Sequence, residues 1–117
     1  MNNSRFKGGN LMNINDIKLV FVVSPSDDGQ ERTIKEVINQ LIKDDKKNKR
    51  DDLIYISSLN TFGWLSDTID KDDLINCNLK LLTKCDELYI LPNYELDEIA
   101  NNCIGVAKLL GLPITYL

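Results

Sequence analysis

Any chemistry done by this chain has to be done without histidine, because its 117 residues contain none. That excludes Ser-His and Cys-His nucleophile pairs, His-ligated metals, and any side chain that titrates near neutrality without help from its surroundings. Carboxylates, tyrosines, lysines and the three thiols of Cys77, Cys85 and Cys103 remain as candidate acids, bases and nucleophiles. The thiols are odd in number and show no CxxC spacing, so they read as reduced, mostly buried side chains rather than a disulfide framework or a zinc site. Neither a cofactor nor a metal is expected.

Polar side chains suited to holding a ligand gather in three short segments, each directly after an apolar run. The first is Ser24-Pro25-Ser26-Asp27-Asp28, the second Ser57 to Asn60, and the third Pro92-Asn93-Tyr94 leading to Asp97. The first segment stands where a dinucleotide-binding domain carries GxGxxG, but it offers a single glycine, Gly29, and it is not a GxxxxGK[ST] phosphate loop either. The hydroxyls of Ser24 and Ser26, with Asp28 and the N–H groups of a following helix, can hold a sugar hydroxyl or phosphate, or simply cap the helix. Two aspartates there oppose an anion. Trp64, the only tryptophan, lies with Phe62 in a polar stretch, where it can stack on a base or roof the core.

The elements that position these segments follow from hydrophobic periodicity. Ile17 to Val23 is a nearly continuous apolar, β-branched run ended by Ser24-Pro25, as in a parallel strand covered on both faces. Asp28 with Glu31 three residues on resembles a helix start, and Ile34, Val37, Ile38, Leu41 and Ile42 then follow a helical period to about Asp44. Leu53 to Ile56 is a second strand. Asp72 or Asp73 caps a second helix with Ile75, Leu79, Leu82 and Leu81 inward, ending near Lys84. Glu87 to Leu91 is a third strand; a helix from Asp97 to Leu110 turns Ile99, Ala100, Cys103, Ile104, Ala107 and Leu110 inward and stops at Gly111; Pro113 to Leu117 is the last strand. Such β-α alternation predicts one α/β domain over residues 17–117, Rossmann-like and specifically flavodoxin-like. Its four-stranded parallel sheet has the order 2-1-3-4, with right-handed crossovers and helices on both faces. Residues 1–16, polar and without period, read as a flexible N-terminal arm. In such sheets ligands bind beyond the carboxyl ends of the strands, where strand order reverses.

Composition agrees with an ordinary globular domain, 43% apolar and 27% charged. No run is long enough to span a bilayer and the N-terminus lacks a signal-peptide core, so a cytoplasmic location without membrane attachment is expected. The net charge of −4 argues against nucleic acid as a partner. Charge is uneven, with 10 basic and 7 acidic residues in the first 50 positions and 4 and 11 in the rest. The mixed run from Lys43 to Arg50 reads as a solvated loop.

The stretch from Asp72 to Ile114 carries Lys84-Cys-Asp-Glu-Leu88 before a strand and Ala107-Lys-Leu-Leu-Gly-Leu-Pro-Ile114 at the end of the last helix. In these pieces, and in element order over residues 17–117, the chain resembles the nucleoside 2-deoxyribosyltransferase-like families, which include small phage and bacterial members. The resemblance implies cleavage of an N-glycosidic bond by a glutamate on the last helix, four residues before the alanine matched by Ala107. Here that position is Cys103. A helper carboxylate on the preceding helix falls at Asn78, while the carboxylate at the mouth of the last helix is kept as Asp97. Asp86 matches a family aspartate, with a structural role in the turn. Enzymes of the family complete their sites with a neighbouring subunit, which implies a homo-oligomer.

A kept framework without the nucleophile points to binding, by sensing or sequestration, of a nucleotide- or nucleoside-derived small molecule. Ser24, Ser26, Asp28, Asn60, Trp64, Asn78, Asn93 and Asp97 are the candidate contacts. In a phage protein such a ligand would be a nucleotide signal of the host. Two alternatives stand beside this reading. One is an N-glycosidic hydrolase or transferase with Asp97 or Asp28 as the working carboxylate and water or Cys103 in the glutamate's role, and the other a protein-interaction domain.

Overall fold

The structure, a computed structural model, describes residues 16–25, 30–62 and 68–117, with the side chains of residues 30–32, 60 and 62 outside the description. Strand β1 (Lys18–Val23) is followed by helix α1 (Gln30–Lys47), β2 (Leu53–Ser57), α2 (Ser58–Phe62), α3 (Lys71–Leu82), β3 (Glu87–Ile90), α4 (Glu98–Leu110) and β4 (Ile114–Tyr116). The four strands form one sheet in the order β2-β1-β3-β4, and every neighbouring pair is parallel. This is the expected 2-1-3-4 arrangement of a flavodoxin-like α/β domain.

Alternation along β1 explains why its apolar run is unbroken. Phe21 and Val23 face one layer, where Leu88 and Ile90 of β3 meet Leu82 of α3 and Ala100, Cys103, Ile104 and Ala107 of α4. Val20 and Val22 face the other, where Ile34, Val37 and Ile38 of α1 cover them. Both sides of the central strand are dry, so a period-two polar pattern would be costly there. All four of these β1 side chains are fully buried, each a contribution of about 1.5–3 kcal/mol over an exposed position.

Four local expectations are corrected. Helix α1 does not stop at Asp44: the charged run forms its last turns up to Lys47, since lysine is a good helix former and Lys46 and Lys47 suit the negative end of the helix dipole. The helix closes at Lys49, in the left-handed region at φ 58°, with Arg50 N–H on Asp45 O and Lys49 N–H on Lys46 O. Residues 58–62 form the short helix α2 rather than a loop. The N-cap of α3 is Asp70, not Asp72 or Asp73, which occupy the first turn and favour the helix dipole. Finally, Ile42 and Leu110 are each half exposed, because the ends of α1 and α4 overrun the sheet that would cover them. All of the expected arm but Asp16, and the Asp28 cap, lie outside the described residues.

Among the described residues no helix is long and apolar enough to cross a membrane.

Candidate functional site

In the order β2-β1-β3-β4 the chain leaves β1 toward one edge of the sheet and leaves β3 toward the other. The two departing segments must separate, and a crevice opens between them at the carboxyl ends of the strands. A cleft of about 410 Å³ lies at this end, lined by Pro25 on the β1 side and by Asn93, Glu95, Leu96 and Asp97 on the β3 side. That volume falls within the range of small-molecule sites.

Each wall is shaped by local sequence. Pro25 ends β1 and is buried. Beside it Ser24 is 5% exposed, and its Oγ has no hydrogen-bond partner among the described residues. A buried hydroxyl left unbonded costs about 1–3 kcal/mol, so its retention asks for an explanation. On the far wall Asn93 takes the left-handed conformation, φ 66°, which asparagine tolerates better than most residues. The chain then reverses over residues 94–97, with Asp97 N–H bonded to Tyr94 O at 2.8 Å. Asp97 is the N-cap of α4; its Oδ2 accepts the Ala100 N–H at 2.8 Å, so this carboxylate is a structural cap as well as a cleft residue. Tyr94 packs on the α3–α4 core and its ring lies 5.4 Å from that of Tyr116, so it covers the helix end.

The structure brings Asn93 and Asp97 together in the cleft wall, with Ser24 next to its Pro25 side. Ser26, Asp28 and Trp64 lie outside the described residues; Asn60 falls in α2, its side chain also outside the description. The two positions carried over by resemblance stand elsewhere. Asn78 is 1% exposed on the stripe of α3 shared with Ile75 and Leu82; its Nδ2 bonds Leu74 O at 2.9 Å and its Oδ1 has no partner among the described residues. Cys103 sits fully buried in the apolar layer between α4 and the sheet. Burial, helped by the charge of Asp97, pushes its thiol up to about 12, so at neutral pH it is protonated and a poor nucleophile. Cys85 is pushed up to about 11, again by burial first and by Asp86 second. Asp86 has the structural role expected of it, accepting the Leu19 N–H on Oδ2 at 2.8 Å.

Sequence reasoning missed Leu96, wholly exposed at the cleft rim, and passed over Glu95. Nothing in periodicity marks either. Among the described residues no group of three or more Cys, Asp or Glu is placed to hold a metal ion.

Fold and cleft together define the class: a doubly wound α/β domain with a crevice at its switch point. No protein-family model matches the chain, and no curated protein matches it either.

Proposed function

We propose that the chain is a binding module for a nucleoside-like small molecule, held in the crevice between Ser24-Pro25 and the 93–97 segment, and that it senses or sequesters this ligand rather than transforming it. The observation that carries the reading is the cleft at the switch point, one wall of which is Pro25, the residue after Ser24, whose buried hydroxyl has no partner among the described residues. A ligand donor or acceptor would complete that hydroxyl, and the amide of Asn93 and the carboxylates of Glu95 and Asp97 are suited to sugar hydroxyls and base N–H groups.

Charge narrows the class further. The described lining holds two carboxylates and no cation, an arrangement that repels phosphate and favours the uncharged nucleoside over its nucleotides. The protonated, buried Cys103 at the position of the family's glutamate supports binding over turnover. The chain is then a catalytically degenerate relative of the nucleoside deoxyribosyltransferase-like enzymes.

The test is a thermal-shift screen against nucleosides, deoxynucleosides, mono- and cyclic nucleotides, NAD and ADP-ribose, with recovered ligand checked by mass spectrometry. A nucleoside should raise the melting temperature and return intact, the stabilisation reaching about 2.7 kcal/mol at a hundredfold excess over Kd. Preference for a phosphorylated member overturns the charge argument. Release of free base establishes turnover, and a flat screen moves the domain to protein interaction.

A further inference from the structure

The cleft wall formed by residues 93–97 has little apolar material to hold it in place. Pro92, Asn93, Glu95 and Leu96 are all exposed, and among the described residues Tyr94 alone anchors the segment to the core. Its shape therefore has to come from hydrogen bonds, and one side chain supplies an unusual share of them. Asn101, on the second turn of α4, directs its Nδ2 to three carbonyls: Tyr94 O at 3.3 Å, Glu95 O at 3.0 Å and Asp97 O at 2.8 Å. The Asp97 carbonyl is the ordinary i−4 acceptor within a helix. The other two belong to the loop, so the same amide ties helix and cleft wall together.

The next residue provides an internal control. Asn102 makes the matching i−4 bond, Nδ2 to Glu98 O at 2.8 Å, and no bond to the loop is found for it. The two neighbours are alike in type, exposure and helical bond, and differ in the loop carbonyls.

We propose that Asn101 is a positioning residue for the cleft: its side-chain amide clamps the carbonyls of Tyr94 and Glu95 and so fixes the wall that presents Asn93, Glu95 and Asp97 to the ligand. The effect on the ligand rests on the reading of this cleft as a binding site; the clamp itself does not. Neither Gln nor Asp replaces it. Glutamine is one methylene too long, and aspartate keeps the shape but loses both N–H donors and sets a negative charge against three carbonyl oxygens.

Amide hydrogen exchange on the whole chain, with no ligand added, tests the clamp. In Asn101→Ala and Asn101→Asp the Asp97 and Ala100 amides should exchange about tenfold faster, while Leu88 and Leu91, bonded across the sheet, keep their rates. Asn102→Ala should leave all four within about twofold. Equal rates at residue 97 in Asn101→Ala and wild type overturn the proposal, and so does equal acceleration in Asn101→Ala and Asn102→Ala. Adenosine and 2′-deoxyadenosine, titrated by calorimetry, then read the consequence. A nucleoside bound by wild type should lose about tenfold in affinity in Asn101→Ala and none in Asn102→Ala; unchanged affinity overturns the positioning role. A wild type that binds neither while the exchange contrast holds leaves the clamp standing and counts against the nucleoside reading alone.

Discussion

The two ends of the sheet are built on opposite principles. At the amino ends of the strands the backbone is stitched shut: Asp86 accepts the Leu19 N–H on its carboxylate and donates its own N–H to Leu19 O at 2.7 Å, while Lys18 N–H bonds Asp52 O at 2.7 Å. Asp52 in turn takes both Nε and Nη2 of Arg50. Helix α4 arrives there through Gly111 at φ 72°, with the N–H groups of Gly111 and Leu112 returned to Lys108 O and Ala107 O. At the carboxyl ends lie a buried hydroxyl without a partner among the described residues, a fully exposed leucine and two carboxylates around a cleft. One end is spent on stability. The other leaves polar groups around an open cleft, and that asymmetry is the reason the proposed binding site is set there.

Substitutions at the two ends can sharpen or break this contrast. The largest loss is expected for Asp86→Ala, which orphans the Leu19 N–H at the closed end. Chemical denaturation should show a cost of about 1.5 kcal/mol, with nucleoside affinity unchanged once the protein is folded. A smaller loss, about 1 kcal/mol, is expected for Gly111→Ala, because a Cβ at positive φ is strained even where nothing crowds it. The partner substitution at the open end, Asn93→Gly, should leave the unfolding free energy within about 0.3 kcal/mol of wild type and lower ligand affinity instead. A change of opposite sign belongs to Ser24→Ala. Removing the unpartnered hydroxyl should raise stability by about 0.5 kcal/mol in the free protein while reducing ligand-induced stabilisation. A clear loss of stability in Ser24→Ala would show that the hydroxyl is already satisfied, and the contrast between the ends would fail.

Much of the fold was legible because burial on two faces writes itself into residue type. The β-branched run of β1 and the helical period of Ile34, Val37 and Ile38, or of Ala100, Cys103, Ile104 and Ala107, follow from which surfaces must be dry. Alternation of strand and helix then led to the parallel order. The short helix α2 was not legible, since five residues are too few to display a period. The last turns of α1 were hidden for a different reason: charged residues with good helix propensity look the same in a solvated helix and in a loop.

The site was legible only in outline. The switch-point rule led to Asn93 and Asp97, and these do line the cleft. The assignments of Asn78 and Cys103 came from resemblance, and both residues lie on core-facing stripes. Neither Leu96 nor the clamp of Asn101 could be found from spacing, because a loop conformation set by side-chain-to-carbonyl bonds carries no repeating pattern.

Strand β1 is central in the sheet yet early in the chain, and its bond partner at Asp86 lies 67 residues beyond Leu19. At about 5–20 residues per second of synthesis, β1 waits roughly 3–13 s for β3 to be made. During that interval α1 and β2 can shelter Val20 and Val22, but Phe21 and Val23 have no cover until α3, β3 and α4 arrive. The layer that stays open longest on the ribosome is the one that later buries Cys103 and carries the cleft wall, so the nascent chain assembles the α1 side of its sheet first and its cleft last.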